Sequence, residues 1–307
     1  MPRSHPPSLL TSTVRTLRDL NLEGGARILI AVSGGPDSMA LLHVLARSSG
    51  KLHMAIAAHG VDHGLRAEAA AELDLAEQLA RTLDVPFDRT CLALRDGGNL
   101  QARARTARYE ALREAARRAG ASFIATAHHA DDRAETVLLR LLRGAGPAGL
   151  AVLPPRAGDL IRPFIHARRA AIEGHLARHA IPSASDPSNR DPRFSRVRVR
   201  HELLPQMVEL SPNIVEHLCA LADQLAQLPS VHAGIPRATR DALASLAASR
   251  SSTMRVSLPG GLVATYDRTQ GKVVVGPASA FQVFPHPEKL NRGASAPNRG
   301  ARARRQG

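Results

Sequence analysis

Between residues 27 and 143, apolar runs of strand length alternate with longer helix-like runs. Arg27–Val32, Met54–Ala58, Phe87–Leu92 and Ser122–Ala127 read as strands. Ser38–Ser48, Glu68–Leu83, Leu100–Ala119 and Asp131–Arg143 read as helices, the last two stopped by Gly120 and Gly144. Parallel neighbours need a long crossover, and a helix supplies it. The expectation is an α/β protein, with a doubly wound, mainly parallel sheet and helices on both faces. Ligands in such sheets bind at the carboxyl ends of the strands. Leu9–Leu20 has amphipathic helical spacing and should pack on this domain. Hydrophobic residues are 44% of the 307-residue chain, aromatics only 3%, and Trp is absent, so the core must be built from Ala, Leu, Val and Ile.

The pattern changes near residue 190. His201–Leu210, Pro212–Leu228 and Val231–Ser252 read as helices without intervening strands. Val256–Leu258 and Leu262–Tyr266 read as a hairpin around Pro259-Gly260-Gly261, with Lys272–Val275 as a further strand. A small, mostly helical C-terminal domain is expected over 201–280, after a first domain over 1–200. From Pro285 the sequence is Pro-, Gly- and Arg-rich with almost no apolar residues, so 281–307 is expected to be a disordered basic tail.

The net charge is +14, which points to a polyanionic partner, nucleic acid before anionic membrane. Cys91 and Cys219 are the two cysteines, so no disulfide framework, zinc ribbon or iron–sulfur set can be built from them. The first twenty residues lack a signal-peptide core, and no stretch approaches the ~18 apolar residues of a membrane span. A soluble, cytoplasmic protein is expected.

Ser33-Gly34-Gly35-Pro36-Asp37-Ser38 lies directly between a strand and a helix. Glycines let the backbone approach an anion closely, and a helix N-terminus supplies N–H donors and partial positive charge. Ser33 and Ser38 add hydroxyls. Asp37 would repel a phosphate unless a Mg²⁺ lies between them. The loop is not a Walker loop, because the GxxxxGK[ST] spacing and its Lys are missing. A second cluster, His128, His129, Asp131 and Asp132, follows the Ser122–Ala127 strand and so falls on the same sheet edge. In a first helical turn His128 and Asp132, and Asp132 and Glu135, share a face. One acid is expected to cap the helix, but capping leaves two histidines and a further acid unexplained. His59 and His63 are also four apart, but no cysteine is near, and the acids suit Mg²⁺ better than zinc.

The SGGxDS pattern resembles the pyrophosphate loop of the N-type ATP pyrophosphatases. Together with HGVDHGLR (His59–Arg66), GNLQARARTARYEAL (Gly98–Leu112), AHHADDRAETVLLRLLRGAGPAGL (Ala127–Leu150) and DPSNRDPRFSRVRVRHELLP (Asp186–Pro205), it resembles the tRNA(Ile)-lysidine synthetase family. These stretches stand in the family order from Ala31 to Pro205. VSLPGGLVATYD (Val256–Asp267) resembles the family's substrate-binding region more weakly.

The resemblance implies an adenine nucleotide alpha hydrolase-like fold, with 1–200 as a PP-loop catalytic domain and 201–280 as a tRNA- and substrate-binding domain. It implies ATP-dependent attachment of L-lysine to carbon 2 of the wobble cytidine in the CAU anticodon of tRNA(Ile), through an adenylated intermediate. On that reading Ala31, Ser33, Gly34, Gly35, Pro36, Asp37 and Ser38 bind ATP, and Asp37 holds Mg²⁺. His128 and Asp132, with Asp37, serve catalysis. Asp132 and Glu135 hold the lysine ammonium, and Arg103, Arg105, Arg108, Arg196 and Arg200 contact tRNA. A homodimer is admitted. Many family members carry Asn where this chain has Val197, and long members carry a further C-terminal domain, so this chain reads as a shortened form. The competing reading is another PP-loop enzyme such as a tRNA thiolase, against which stands the absence of a CxxC pair.

Overall fold

The computed structural model describes residues 8–62, 64, 68–92, 98, 100–184, 191, 193–227, 237–258, 261–277 and 280. His63, Asp186–Asn189, Pro259–Gly260 and residues 281–307, expected as a basic tail, lie outside them.

The chain opens with helix α1 (Leu9–Asp19), then alternates: β1 (Arg27–Val32), α2 (Pro36–Leu52), β2 (Ala55–Asp62), α3 (Ala69–Thr82), β3 (Phe87–Cys91), α4 (Leu100–Arg118), β4 (Phe123–Ala125) and α5 (Ala130–Leu142). After a short α6 (Pro147–Leu150), a tight β5 (Arg156–Ala157) and β6 (Leu160–Ile161) precede α7 (Arg169–Arg178). The sheet order is β3-β2-β1-β4-β6-β5. Its pairings are parallel except β5 with β6 at the edge.

Because side chains alternate along a strand, β1 feeds two cores. Ile28, Ile30 and Val32 pack with Leu17, Met39, Leu42 and Ile172 on one face. Leu29 packs with Tyr109, Leu112 and Ile124 on the other. From β1 the chain runs outward through β2 to β3, then returns to place β4 on the other side of β1. That reversal opens a crevice beyond the carboxyl ends of β1 and β4.

Two compact units divide between Ser230 and Val231. The first extends past residue 200 because the following helices bury their apolar faces on α5. A helical stretch comprises α8 (Ser195–Arg198), a π-helical turn (Val199–Leu203) and α9 (Leu204–Leu210), and α10 (Ile214–Gln227) follows. Val137 and Leu138 of α5 share a cluster with Val199, Leu204, Val215, Leu218 and Ala222. The second unit, described by itself, is α11 (Arg237–Ser249) on an antiparallel sheet of β7 (Arg255–Leu258), β8 (Leu262–Asp267) and β9 (Lys272–Pro277). Leu246, Val256, Ala264 and Tyr266 form its core. Among the described residues no helix is long and apolar enough to cross a membrane.

Candidate active site

The loop after β1 is closed by its own side chains. Ser38 Oγ accepts from the Ser33 N–H at 3.1 Å, lies 3.3 Å from Ser33 Oγ and donates to the Gly35 carbonyl at 2.9 Å. Gly34 has φ +75°, and a Cβ there would fall 2.3 Å from the Glu72 carbonyl oxygen on α3. Only glycine fits both constraints. The Gly34 carbonyl accepts from the Ala184 N–H at 2.9 Å. Gly35 is the N-cap of α2 and Pro36 its first residue, with Asp37 in the first turn and no side chain capping it. The N-terminus of α2 thus lies at the carboxyl end of β1, where an anion cradle belongs.

The cap of α5 is His129, not the acid expected from sequence. Its Nδ1 accepts from the Asp132 N–H at 3.4 Å, while Asp132 Oδ2 accepts from the His129 N–H at 3.3 Å. The ring is fully buried. Its Nε2 lies 3.7 Å from Asp37 Oδ1 and 3.5 Å from Asp132 Oδ2, and Nδ1 lies 3.6 Å from Asp131 Oδ2. Thus one imidazole joins the glycine loop to the α5 terminus. Burial alone would lower its pKa, but Asp131, Asp132 and Asp37 outweigh that and raise it. The cap needs a lone pair on Nδ1 and the carboxylates favour a proton there, so two uses compete for that nitrogen.

His128 is the opposite case. Its Nδ1 lies 2.9 Å from Thr126 Oγ1, which also donates to the Ile161 carbonyl at 3.4 Å. The Thr126 hydroxyl is thus shared between the His128 ring and the Ile161 carbonyl. Burial, aided by Arg162, Arg108 and Arg105 against Asp132, lowers the His128 pKa to about 4. The ring is neutral at pH 7.

The acids are matched to arginines, with one exception. Glu135, 1% exposed, receives Arg200 Nε and Nη2 at 2.6 and 2.9 Å, and Arg196 Nε at 2.8 Å. Arg169 lies 3.8 Å away. Asp132 receives Arg196 Nη2 at 2.9 Å, with Arg200 at 3.5 Å. Burial works against the charge of Asp132, but His129, Arg196 and His128 hold its pKa low. Asp131 accepts the Arg169 N–H at 2.7 Å and the Arg168 guanidinium at 3.2 Å, and despite burial its pKa is also held low. Asp37 has no arginine or lysine at ion-pair distance among the described residues. Burial, with Asp132 nearby, raises its pKa against the pull of His129, Arg169 and Arg200. A carboxylate with a raised pKa beside an anion cradle suits a divalent cation, which usually keeps waters and substrate phosphates among its ligands. Among the described residues no group of three His, Cys, Asp or Glu is placed to hold a metal alone.

Of the residues expected from sequence, Asp37 in the Ser33–Ser38 loop meets Asp132 through His129, Asp132 and Glu135 share Arg196 and Arg200, and His128 lies within electrostatic reach of Asp132. Ala31 sits inside β1, paired with His59 of β2. His59 is buried and meets Thr90 Oγ1 at 2.9 Å. Arg196 and Arg200 turn inward to the acids. On α4, Arg103 is exposed, and the Arg105 and Arg108 guanidiniums lie 5.1 and 5.3 Å from the Tyr109 ring centre. Sequence reasoning names His129 in the second cluster without a role of its own, and does not single out Thr126, Arg162, Arg168 or Arg169. For Arg162 the signal was present: a lone charge in the apolar run Leu160–Ile165 marks a buried, committed cation.

Residues 9–207 match the PP-loop domain family. The tRNA(Ile)-lysidine synthase of Thermobifida fusca is 39% identical over 224 residues, covering 72% of this chain and 68% of that protein. The chain belongs to the tRNA(Ile)-lysidine synthase family of PP-loop proteins. Lysidine synthases of Thermotoga sp. and Rhodopseudomonas palustris are 38% identical over 198 residues and 49% over 191. These matches cover 63% and 59% of this chain but 48% and 54% of those two proteins, so the chain spans about half their length. The U34-tRNA thiolase NcsA from Methanococcus maripaludis, solved with its [4Fe-4S] cluster, shares the fold with a TM-score of 0.62 at 17% identity, covering 74% of this chain and 81% of that one. In this lysidine synthase family member, Cys91 is exposed on β3 and Cys219 buried on α10.

Proposed function

We propose that the chain uses ATP to attach L-lysine to carbon 2 of the wobble cytidine in a tRNA(Ile) CAU anticodon. One observation carries the reading: His129 Nε2 stands 3.7 Å from Asp37, so the anion cradle and the His128–Asp132 pair share one crevice. The family supports it, since the synthases it matches bear that name.

The cytosine O2 attacks the α-phosphorus of ATP, and diphosphate leaves. A lysine amine then attacks C2, and AMP leaves with the former cytosine oxygen. The backbone of Ser33–Ser38 would bind the diphosphate portion. Asp37 would hold Mg²⁺, which when bound offsets phosphate charge. The amine must lose a proton, and the neutral His128 imidazole and the Asp132 carboxylate would be its acceptors. Asp132 and Glu135 would hold the lysine ammonium in place of Arg196, which is half exposed and able to swing aside. Arg103, Arg105 and Arg108 would contact the tRNA, with residues 201–280 as the further substrate-binding region. Cys91 and Cys219 lie on separate elements, which counts against sulfur transfer.

The deciding experiment is mass spectrometry of tRNA(Ile) after incubation with the protein, ATP, Mg²⁺ and lysine. The expected result is a wobble cytidine heavier by a dehydrated lysine. An unmodified wobble base with well-folded protein would sink the proposal.

A further inference from the structure

Most arginines near the crevice are neutralised. Arg168, Arg196 and Arg200 meet Asp131, Asp132 and Glu135, and the buried Arg133 meets Asp223 at 2.6 Å. Three are not. Among the described residues, no carboxylate pairs with Arg105, Arg108 or Arg162. Arg162, 5% exposed, follows β6 at its carboxyl end. It donates Nη1 to the Pro154 carbonyl at 2.6 Å, while its Nε is buried with no hydrogen-bond partner. Arg108 Nε is orphaned in the same way. Arg105 donates to Tyr109 Oη at 3.4 Å and lies against that ring with Arg108. The groups acting on Arg162 are Tyr109, Arg105 and Arg133, and all three unpaired arginines act on His128.

Arg105 is exposed, but the buried Nε donors of Arg162 and Arg108 and the uncompensated charge of the buried Arg162 are costly unless an anion completes them. A guanidinium fork suits phosphate oxygens. The ATP cradle follows β1, and β4 separates it from β6. At the usual strand spacing that is roughly 10 Å away. The diphosphate therefore belongs to the loop, and this second cationic point calls for a different phosphate.

We propose that Arg162, with Arg105 and Arg108, receives a phosphodiester group of the RNA strand whose base enters the crevice. This rests on the tRNA reading above and adds Arg162 as an RNA-binding residue. The contact anchors the backbone beside His128 while the base reaches toward the cradle.

The test uses the full chain and a fluorescent anticodon stem-loop with a CAU loop, titrated by anisotropy across a salt series without ATP or lysine. Arg162→Gln should weaken binding about tenfold and flatten the log–log salt slope by about 0.7, the value for one single-strand phosphate contact. Arg162→Lys should restore the slope but not the full affinity. ATP binding, measured by calorimetry, should be unchanged in both. Unaltered stem-loop affinity and slope in folded Arg162→Gln overturns the proposal. So does a loss of ATP binding instead, which would make the phosphate the nucleotide's. If Arg162→Gln fails to fold, Arg162→Lys is judged by affinity alone, unaltered affinity overturning the proposal, and Arg108→Gln by affinity and slope. Since the assay needs no turnover, RNA binding without lysidine formation would sink the enzymatic reading and leave this one standing.

Discussion

Arg200 grips Glu135 at two points, 2.6 and 2.9 Å, across sixty-five residues of chain. Glu135 is buried and Arg196 shares it, so this carboxylate holds the helical stretch after residue 195 against α5. Removing the charge strands the arginines. Glu135→Gln should lower stability by about 3 kcal/mol, as for other broken buried pairs. Urea unfolding measures this, and the double variant with Arg200→Gln should lose clearly less than the two single losses added.

Asp132 has a different position, shared among His129, Arg196 and the crevice. Asp132→Asn should abolish lysidine formation while leaving ATP affinity within a few-fold of wild type by calorimetry. Unchanged turnover would defeat the role proposed for it.

The cradle depends on Gly34. Gly34→Ala places a methyl carbon against the α3 backbone and forces an L-residue to φ +75°. The left-handed backbone alone costs ~1–2 kcal/mol. The melting temperature should fall, and ATP affinity should fall more than tenfold.

Acid should destabilise the protein before most carboxylates titrate. His128 and His175 both have folded-state pKa values of about 4, chiefly through burial, against an ordinary 6.5. Between those values the unfolded chain binds more protons, so stability declines as pH falls from 6.5 toward 4. His175 Nε2 and His43 Nδ1 share a hydrogen bond at 2.9 Å, with the His179 ring tilted against both. His175→Gln keeps a polar partner without the titration. Its stability should vary less with pH in that window, read from urea midpoints at pH 7, 6 and 5.

Neither cysteine is assigned a chemical task. Burial raises the Cys219 thiol to about 11, so it should resist modification in the native state while exposed Cys91 reacts. A thiol-reactive dye should label one site, and Cys91→Ser/Cys219→Ser should retain lysidine formation.

What the sequence disclosed was local. The β1–loop–α2 passage and the alternation to Leu142 rest on spacing, glycine and helix stops, all within a few residues of one another. What it hid was pairing over distance. The two-residue β6 has no alternation to read and exists because Ile124 and Ala125 pair with it. Arg196 and Arg200 read in sequence as tRNA contacts, and only the packing of α8 and the π-helical turn on α5 turns them toward Asp132 and Glu135. His128 and His129, adjacent in sequence, are equivalent in one dimension. Capping geometry buries one against Asp37 and leaves the other beside the arginines.

The Gly34 peptide is held from two remote places, with α3 beneath it and the Ala184 amide on its carbonyl. The glycine loop is therefore not a portable cassette. Grafted onto another strand–helix junction without those two supports, the same six residues would relax to an ordinary turn, and anyone re-engineering the stretch near residue 184 would be editing the loop as well.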